Sequence, residues 1–205
     1  MYPVAYEVDF AEQRSRLTTF FRLILVIPWA IVAIFWGLAA LVAVVIAWFA
    51  ILFTGRYPEG LYDLAAKALR YYTRVNSFAL LMTDEWPSFG GDEDPQYPVR
   101  AVIAPPLAEY SRWKTLLRIF LLIPIFIVLY FVQLISRAVS ILAWIVIVIL
   151  GRLPRGIFDV MRFTLAYETR ATAYHWLMTE TYPPFSPDDE APATPPAPAT
   201  QPPIT

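Results

Sequence analysis

The stretch LTTFFRLILVIPWAIVAIFWGLAALVAVVIAWFAILF, residues 17–53, holds 37 residues and a single charge, Arg22. As one straight helix it would be about 56 Å long, against an apolar bilayer core of about 30 Å. Folded at its middle it becomes two limbs of about 18 residues, each just long enough to cross or nearly cross. The flanking charges favour the folded form. Arg14, Arg16 and Arg22 lie at its start, and Arg56, Lys67, Arg70 and Arg74 follow it. A single crossing would put one basic cluster on the wrong side, whereas a hairpin keeps both in the cytoplasm. The expectation is a transmembrane or re-entrant hairpin over residues 17–54, with Gly37-Leu38-Ala39-Ala40-Leu41 as its tip. An apolar tip of that kind can end inside the membrane if it is buried against protein.

The rest of the chain agrees with a bilayer environment. Of 205 residues, 58% are hydrophobic and 16% charged, and mean hydropathy is +0.52, well above globular averages. A net charge of −1 hides a segregation of charge, since residues 23–53 and 119–150 contain one charged residue between them, Arg137. This pattern fits a membrane protein and not a nucleic-acid-binding one. Glu7, Asp9 and Glu12 precede the first apolar run, which is too long for a signal-peptide core, so it is expected to be retained. There is no cysteine, hence no disulfide, thiolate nucleophile or Cys-based metal site.

Shifting the chain on itself by 96 positions aligns residues 15–89 with 111–185 without a gap, and 28 of the 75 pairs are identical. Two copies this similar must share one fold. The matches include Arg22 with Arg118, Pro28 with Pro124 and Trp48 with Trp144. They continue through Gly55-Arg56-x-Pro58-x-Gly60-x-x-Asp63 with Gly151-Arg152-x-Pro154-x-Gly156-x-x-Asp159, and through Arg74 with Arg170. The ends Trp86-Pro87-Ser88-Phe89 and Tyr182-Pro183-Pro184-Phe185 also correspond. The second hairpin is therefore expected over residues 113–150, with Ser136-Arg137 at its tip.

These motifs resemble a bacterial membrane-protein family known only as domain of unknown function 4389. Its pattern has an Arg-x5-Pro opening, a Gly-Arg-x-Pro-x-Gly centre and an aromatic-Pro-Pro-Phe ending. The resemblance covers both copies and implies membrane residence. It implies no activity.

After each hairpin, Pro58 and Pro154 suit the first turn of a new helix. Asp63, Lys67, Arg70, Arg74 and Ser77 then recur at three- and four-residue spacing opposite an apolar face, predicting an amphipathic interfacial helix over residues 58–83. Its counterpart over 154–179 is less polar and suited to packing on protein. Residues 4–10 alternate with a strand's period and 99–104 do so more weakly, which allows a short two-stranded pairing in an otherwise all-α fold. The units run over 1–89 and 97–185, joined by an acidic linker at 90–96. The Pro-rich stretch 186–205 reads as a disordered cytoplasmic tail.

Catalytic chemistry finds little to work with. The Gly-Arg-x-Pro-x-Gly motif lacks the spacing of a phosphate loop and reads as a membrane-exit turn. One histidine, His175, replaced by Ala79 in the other copy, cannot build a haem pair, a zinc site or a Ser-His-Asp triad. The hairpins hold no carboxylate, which disfavours ion-coupled transport. No enzyme activity, metal or cofactor is expected. The favoured reading is an integral scaffold or accessory subunit of the bacterial inner membrane, multi-pass, with both termini cytoplasmic. It would bind anionic lipid and a membrane-protein partner or a second copy through Arg22, Arg56, Lys67, Arg70, Arg74, Arg118, Arg152 and Arg170. The alternative is a lipid-handling or small-solute transport protein with a pathway between the repeats. The repeats should be related by a pseudo-twofold axis along the membrane normal, with Ala39, Ala40, Ala43, Ala47 and Ala143 closing the seam between them.

Overall fold

The computed structural model describes residues 2–185. Each unit contributes one strand, one long apolar helical stretch and one shorter polar helix. In the first, Val4–Val8 is β1, Arg16–Phe20, Arg22–Leu25 and Ile27–Thr54 are α1, α2 and α3, and Glu59–Ala79 is α4. In the second, Val99–Ile103 is β2, Arg112–Leu150 is α5 and Arg155–His175 is α6. The tail at 186–205 lies outside the described residues.

The two expected hairpins do not form. Helix α5 runs unbroken for 39 residues through Ser136 and Arg137, a length of about 58 Å. In the first unit the matching path breaks only at Phe21 and Val26, just ahead of Pro28, whose ring and missing N–H disrupt the preceding turn. Gly37 lies within α3 with nothing within 4 Å of where its Cβ would be. A lone glycine among Leu, Ala, Ile and Val costs a helix only about 1 kcal/mol, too little to force a reversal.

The chain reverses at Gly55 and Gly151 instead. Both adopt the left-handed conformation, with φ of 74° and 73°, and their N–H groups bond back to the carbonyls of Ile51 and Ile147. Glycine reaches that region without a Cβ penalty, so it ends these helices cleanly. Pro58 and Pro154 stand at the caps just before α4 and α6, in extended conformation, one step earlier than the first-turn placement expected of them. Each polar helix then folds back along its own apolar partner. Near the turn, Tyr62, Ala66 and Leu69 share a core with Ala47 and Ile51. At the far end the rings of Phe78 and Trp29 lie 6.2 Å apart, and the Tyr71 hydroxyl donates to the Trp29 carbonyl at 3.1 Å. Phe158, Met161 and Leu165 likewise share a core with Ala143 and Ile147 on α5.

Helix α4 is thus not a helix lying alone at an interface: 11 of its 21 residues are buried, which makes it a core element. The alanines expected at the seam also have another role. Ala40, Ala43, Ala47 and Ala143 are buried, but Ala47 and Ala143 sit in cores built with the polar helix of their own unit. Small residues there let each polar helix approach its apolar partner closely.

The contacts between units are reciprocal. Trp48 Nε1 donates to the Thr115 carbonyl at 3.2 Å, and its repeat image Trp144 donates to the image carbonyl, Thr19, at 3.0 Å. Strands β1 and β2 pair antiparallel, Val4 with Ile103, Tyr6 with Ala101 and Val8 with Val99, which confirms the expected pairing. Each contact and its image coexist only if the units are related by a pseudo-twofold axis. The axis runs through the strand pair, the α4–α6 contact and the middle of the antiparallel α3 and α5. The order of layers is β-ribbon, polar helices, apolar helices. Beyond the polar helices, Ile34, Leu38, Leu41 and Phe49 on α3 and Ile127, Phe131 and Ile141 on α5 stay exposed.

Candidate functional site

Most of the arginines expected to meet lipid or partners are used inside the fold. Arg22 is 2% exposed, ion-paired to Asp84, with its guanidinium 4.0 Å from the centre of the Phe78 ring. Asp84 is brought there by a helix ending that the sequence does not advertise. Leu81 takes φ of 66°, and the Met82 N–H bonds to the Ser77 carbonyl at 2.9 Å. Leu177 repeats this with φ of 64° and Met178 bonded to Ala173. A leucine in that region costs about 1–2 kcal/mol; here both leucine side chains are buried in the core, which offsets the strain. The second oxygen of Asp84 accepts the Ser15 N–H at 2.8 Å, tying the start of α1 to the end of α4.

The image site differs. Arg118 is also 2% exposed and lies 4.3 Å from the Tyr174 ring centre, donating to the Tyr174 carbonyl at 2.9 Å. Glu180, the image of Asp84, accepts the Ser111 N–H with one oxygen and Lys114 Nζ with the other. Lys114 stands where the first unit has Thr18. Glu180 is therefore engaged elsewhere and makes no hydrogen bond to Arg118, while the Nε of both arginines lacks a hydrogen-bond partner.

The stripe on α4 is covered by the acidic linker. Lys67 pairs with Asp92 at 2.8 Å and Arg70 with Glu93 at 2.6 Å. The hydrogen bond from Lys67 pulls the Asp92 carboxyl below its usual value. Arg74 is buried and donates to Ser88 Oγ and to the Gly90 and Asp92 carbonyls. The linker reaches this depth because residue 91 is glycine: a Cβ there would meet the Lys67 carbonyl oxygen at 2.1 Å. Arg170 is buried, and its carbonyl accepts the Tyr2 hydroxyl at 3.2 Å.

Of the residues expected to bind lipid or partners, Arg56 and Arg152 remain exposed, the latter 3.9 Å from Glu12. Asp63 and Asp159 are exposed on α4 and α6. Gly60 and Gly156 have nothing near their missing Cβ, and the structure gives no reason for glycine at either.

Three features escaped the sequence reading. Asp84 and Glu180 could have been found, since an acid recurs at the 96-residue offset right after Leu-Met-Thr. The buried Glu168 accepts from Asn76 at 2.9 Å where α6 meets α4, and burial pushes its carboxyl up to about 7. Its image is Tyr72, so the repeat carries no signal for it. The third is a cavity of about 270 Å³ between α3 and α5, lined by Leu41, Val44, Trp48, Arg118, Leu122 and His175 among others. Among the described residues no cluster of three His, Cys, Asp or Glu could hold a metal ion.

This architecture defines a twofold-repeated helical protein with two helices, Ile27–Thr54 and Arg112–Leu150, long and apolar enough to cross a membrane. The family model described as a domain of unknown function (DUF4389) matches twice, over residues 16–90 and 112–186, so the chain belongs to that family in two tandem copies. No curated protein and no solved structure matches the chain.

Proposed function

We propose that this chain is a non-enzymatic membrane scaffold or accessory subunit, seated in one leaflet of the bacterial inner membrane with its polar layer and both termini on the cytoplasmic side. The observation that carries this reading is the exposure of the long helices. The most apolar windows of α3 and α5 are each only 17% buried. A core helix of a soluble protein would be mostly buried, and an uncovered apolar face of this length marks a lipid or protein contact.

The seat in one leaflet replaces the multi-pass arrangement expected from the sequence. Helix α4 follows α3 from Ile51 back to Trp29, and α6 follows α5 in the same way, so whatever depth the apolar helices span the polar ones span too. Upright, the pair would carry Lys67, Arg70, Asp92 and Glu93 into the hydrocarbon, with Asp92 and Glu93 76% and 74% exposed. Each charge costs about 2.5 kcal/mol or more at the centre of a bilayer. Lying flat, the slab sinks only its apolar face and keeps every one of these charges in water. Its pseudo-twofold axis then runs along the membrane normal, as expected for parallel repeats. Arg56 and Arg112, at the end of the slab near Gly55, and Arg16 and Arg152, near Gly151, are exposed beside the headgroups and supply attraction to anionic lipid. A partner protein or second copy would meet the polar layer.

Single cysteines at Ile34, Leu41 and Phe49, in a chain that has none, carry spin labels whose depth is read from their relative accessibility to oxygen and to an aqueous relaxant. A flat seat gives all three a similar depth. An upright helix would separate the outer two by about 22 Å along the normal, and that result would overturn the flat seat. Full access of all three labels to the aqueous relaxant would overturn membrane seating itself.

The cavity between α3 and α5 supports the alternative, lipid-handling reading, and its chemistry can be taken further.

A further inference from the structure

The two units have diverged around one buried arginine in a way that leaves it without the direct carboxylate pair of its image. In the first, the carboxylate of Asp84 divides its oxygens between the Ser15 N–H and the Arg22 guanidinium. In the second, Glu180 keeps the bond to the Ser111 N–H but gives its other oxygen to Lys114. Arg118 is left 2% exposed, with one bond to a carbonyl and a ring beneath it but no ion pair; its Nε, like that of Arg22, has no hydrogen-bond partner. A buried guanidinium with no carboxylate in direct contact is costly, because burial removes its hydration and a more distant acid, here Glu180, returns only part of it.

Arg118 borders the cavity of about 270 Å³, whose other walls are Leu41, Val44 and Trp48 from α3, Leu122 from α5 and His175 from the end of α6. The second copy thus combines an apolar slot with a single cation and, beside it, a histidine where the first copy has Ala79. The volume lies near the lower limit of ordinary ligand pockets, enough for a headgroup and the first part of a chain.

We propose that this cavity binds one anionic amphiphile, an acyl chain whose carboxylate or phosphate headgroup pairs with Arg118 while the chain leaves between α3 and α5. A free fatty acid and an anionic phospholipid share this chemistry. The proposal extends the membrane reading above, but it concerns an open groove between α3 and α5 and can be tested without a bilayer.

The test uses the full chain in nonionic detergent and a fluorescent polyene fatty acid, with its methyl ester, inorganic phosphate and phosphatidylglycerol as comparisons. The decisive variant is Lys114→Thr, which restores the first unit's residue and frees Glu180 to pair with Arg118 as Asp84 pairs with Arg22. Lys114 is 61% exposed, so this change leaves the core intact. The acid should bind one per chain, with Lys114→Thr and the methyl ester each weakening binding by roughly tenfold or more, a loss of about 1.4 kcal/mol. Thr18→Lys, the opposite exchange in the first unit, should leave the acid's affinity unchanged. Displacement by phosphatidylglycerol assigns the site to membrane lipid, and displacement by neither added lipid nor phosphate assigns it to free fatty acid. No binding, equal binding of acid and ester, equal affinity of the Lys114→Thr variant, or displacement by inorganic phosphate would each overturn the proposal. Labels found at uneven depth in vesicles would instead refute the flat seat and leave this site standing.

Discussion

Removing the acid after each polar helix should cost the two units different amounts, although the positions are images of each other. In Asp84→Ala the Arg22 guanidinium, 2% exposed, loses its counter-ion, and the Ser15 N–H loses its acceptor. Breaking a buried pair from one side costs about 3–5 kcal/mol. The 25% exposure of Asp84 lowers that figure and the lost N–H bond adds about 1 kcal/mol, for a total near 3–4 kcal/mol. In Glu180→Ala the lost ion pair is to Lys114, which is 61% exposed and in water gains about 0.2–1 kcal/mol from it. With the Ser111 N–H included, the loss is about 1–2 kcal/mol. For a chain of this size 1 kcal/mol moves the midpoint by about 2–4 °C. Thermal unfolding in detergent, followed by tryptophan fluorescence, should therefore fall by about 10 °C for Asp84→Ala and by about 4 °C for Glu180→Ala. Equal shifts would refute the asymmetry, and with it the claim that Arg118 lacks a direct ion pair in the fold.

Two further outcomes are expected. Gly55→Ala should lower stability by about 1–2 kcal/mol because φ is 74° there, whereas Gly60→Ala, with open space around it in a helix, should be neutral or stabilising by up to about 1 kcal/mol; the same unfolding assay separates them. Glu168 has its folded-state carboxyl raised from 4.5 to about 7, so the folded chain holds that proton more tightly than the unfolded one. Its contribution should be most favourable below pH 4.5 and be lost as pH rises to about 7, and Glu168→Gln, measured across that window, should flatten the loss.

What could be read from the sequence was what neighbouring residues or the repeat decide. Gly55 and Gly151 end helices because only local geometry is at stake, and the two strands follow from their own alternation. The hairpins failed because a length argument supplies no turn of its own, and α3 and α5 run on as continuous helix through both expected tips. Measured against bilayer thickness, 37 apolar residues are too long for one span, but nothing at Gly37 or at Ser136-Arg137 favours a turn over continued helix. The basic stripe misled for another reason. Lys67, Arg70 and Arg74 do lie at helical spacing, but the sequence does not say that Gly91 lets the linker settle on them with Asp92 and Glu93. The positive charge that spacing displays is neutralised by residues some 25 positions away.

Duplication bears on function through the same geometry. The contacts that define the axis come from both units: β1 lacks a partner without β2, and Trp48 reaches a carbonyl that only the other unit supplies. One unit alone would expose a strand edge and the inner side of its polar helix, both of which favour association with a copy. Identical copies would meet that need but would give every site twice and keep every arginine paired in the same way. Joined in one chain, the units are free to differ. Thr18 can become Lys114, Ala79 can become His175 and Tyr72 can become Glu168 while the contacts that hold the axis persist. The three differences fall at separate places: the exposed Lys114 holds the Glu180 carboxylate, His175 lines the cavity between the long helices, and Glu168 is buried where α6 meets α4. The arrangement is that of a symmetric frame whose halves differ around Arg118, where Glu180 turns to Lys114, and not along the basic stripe that the sequence first presents.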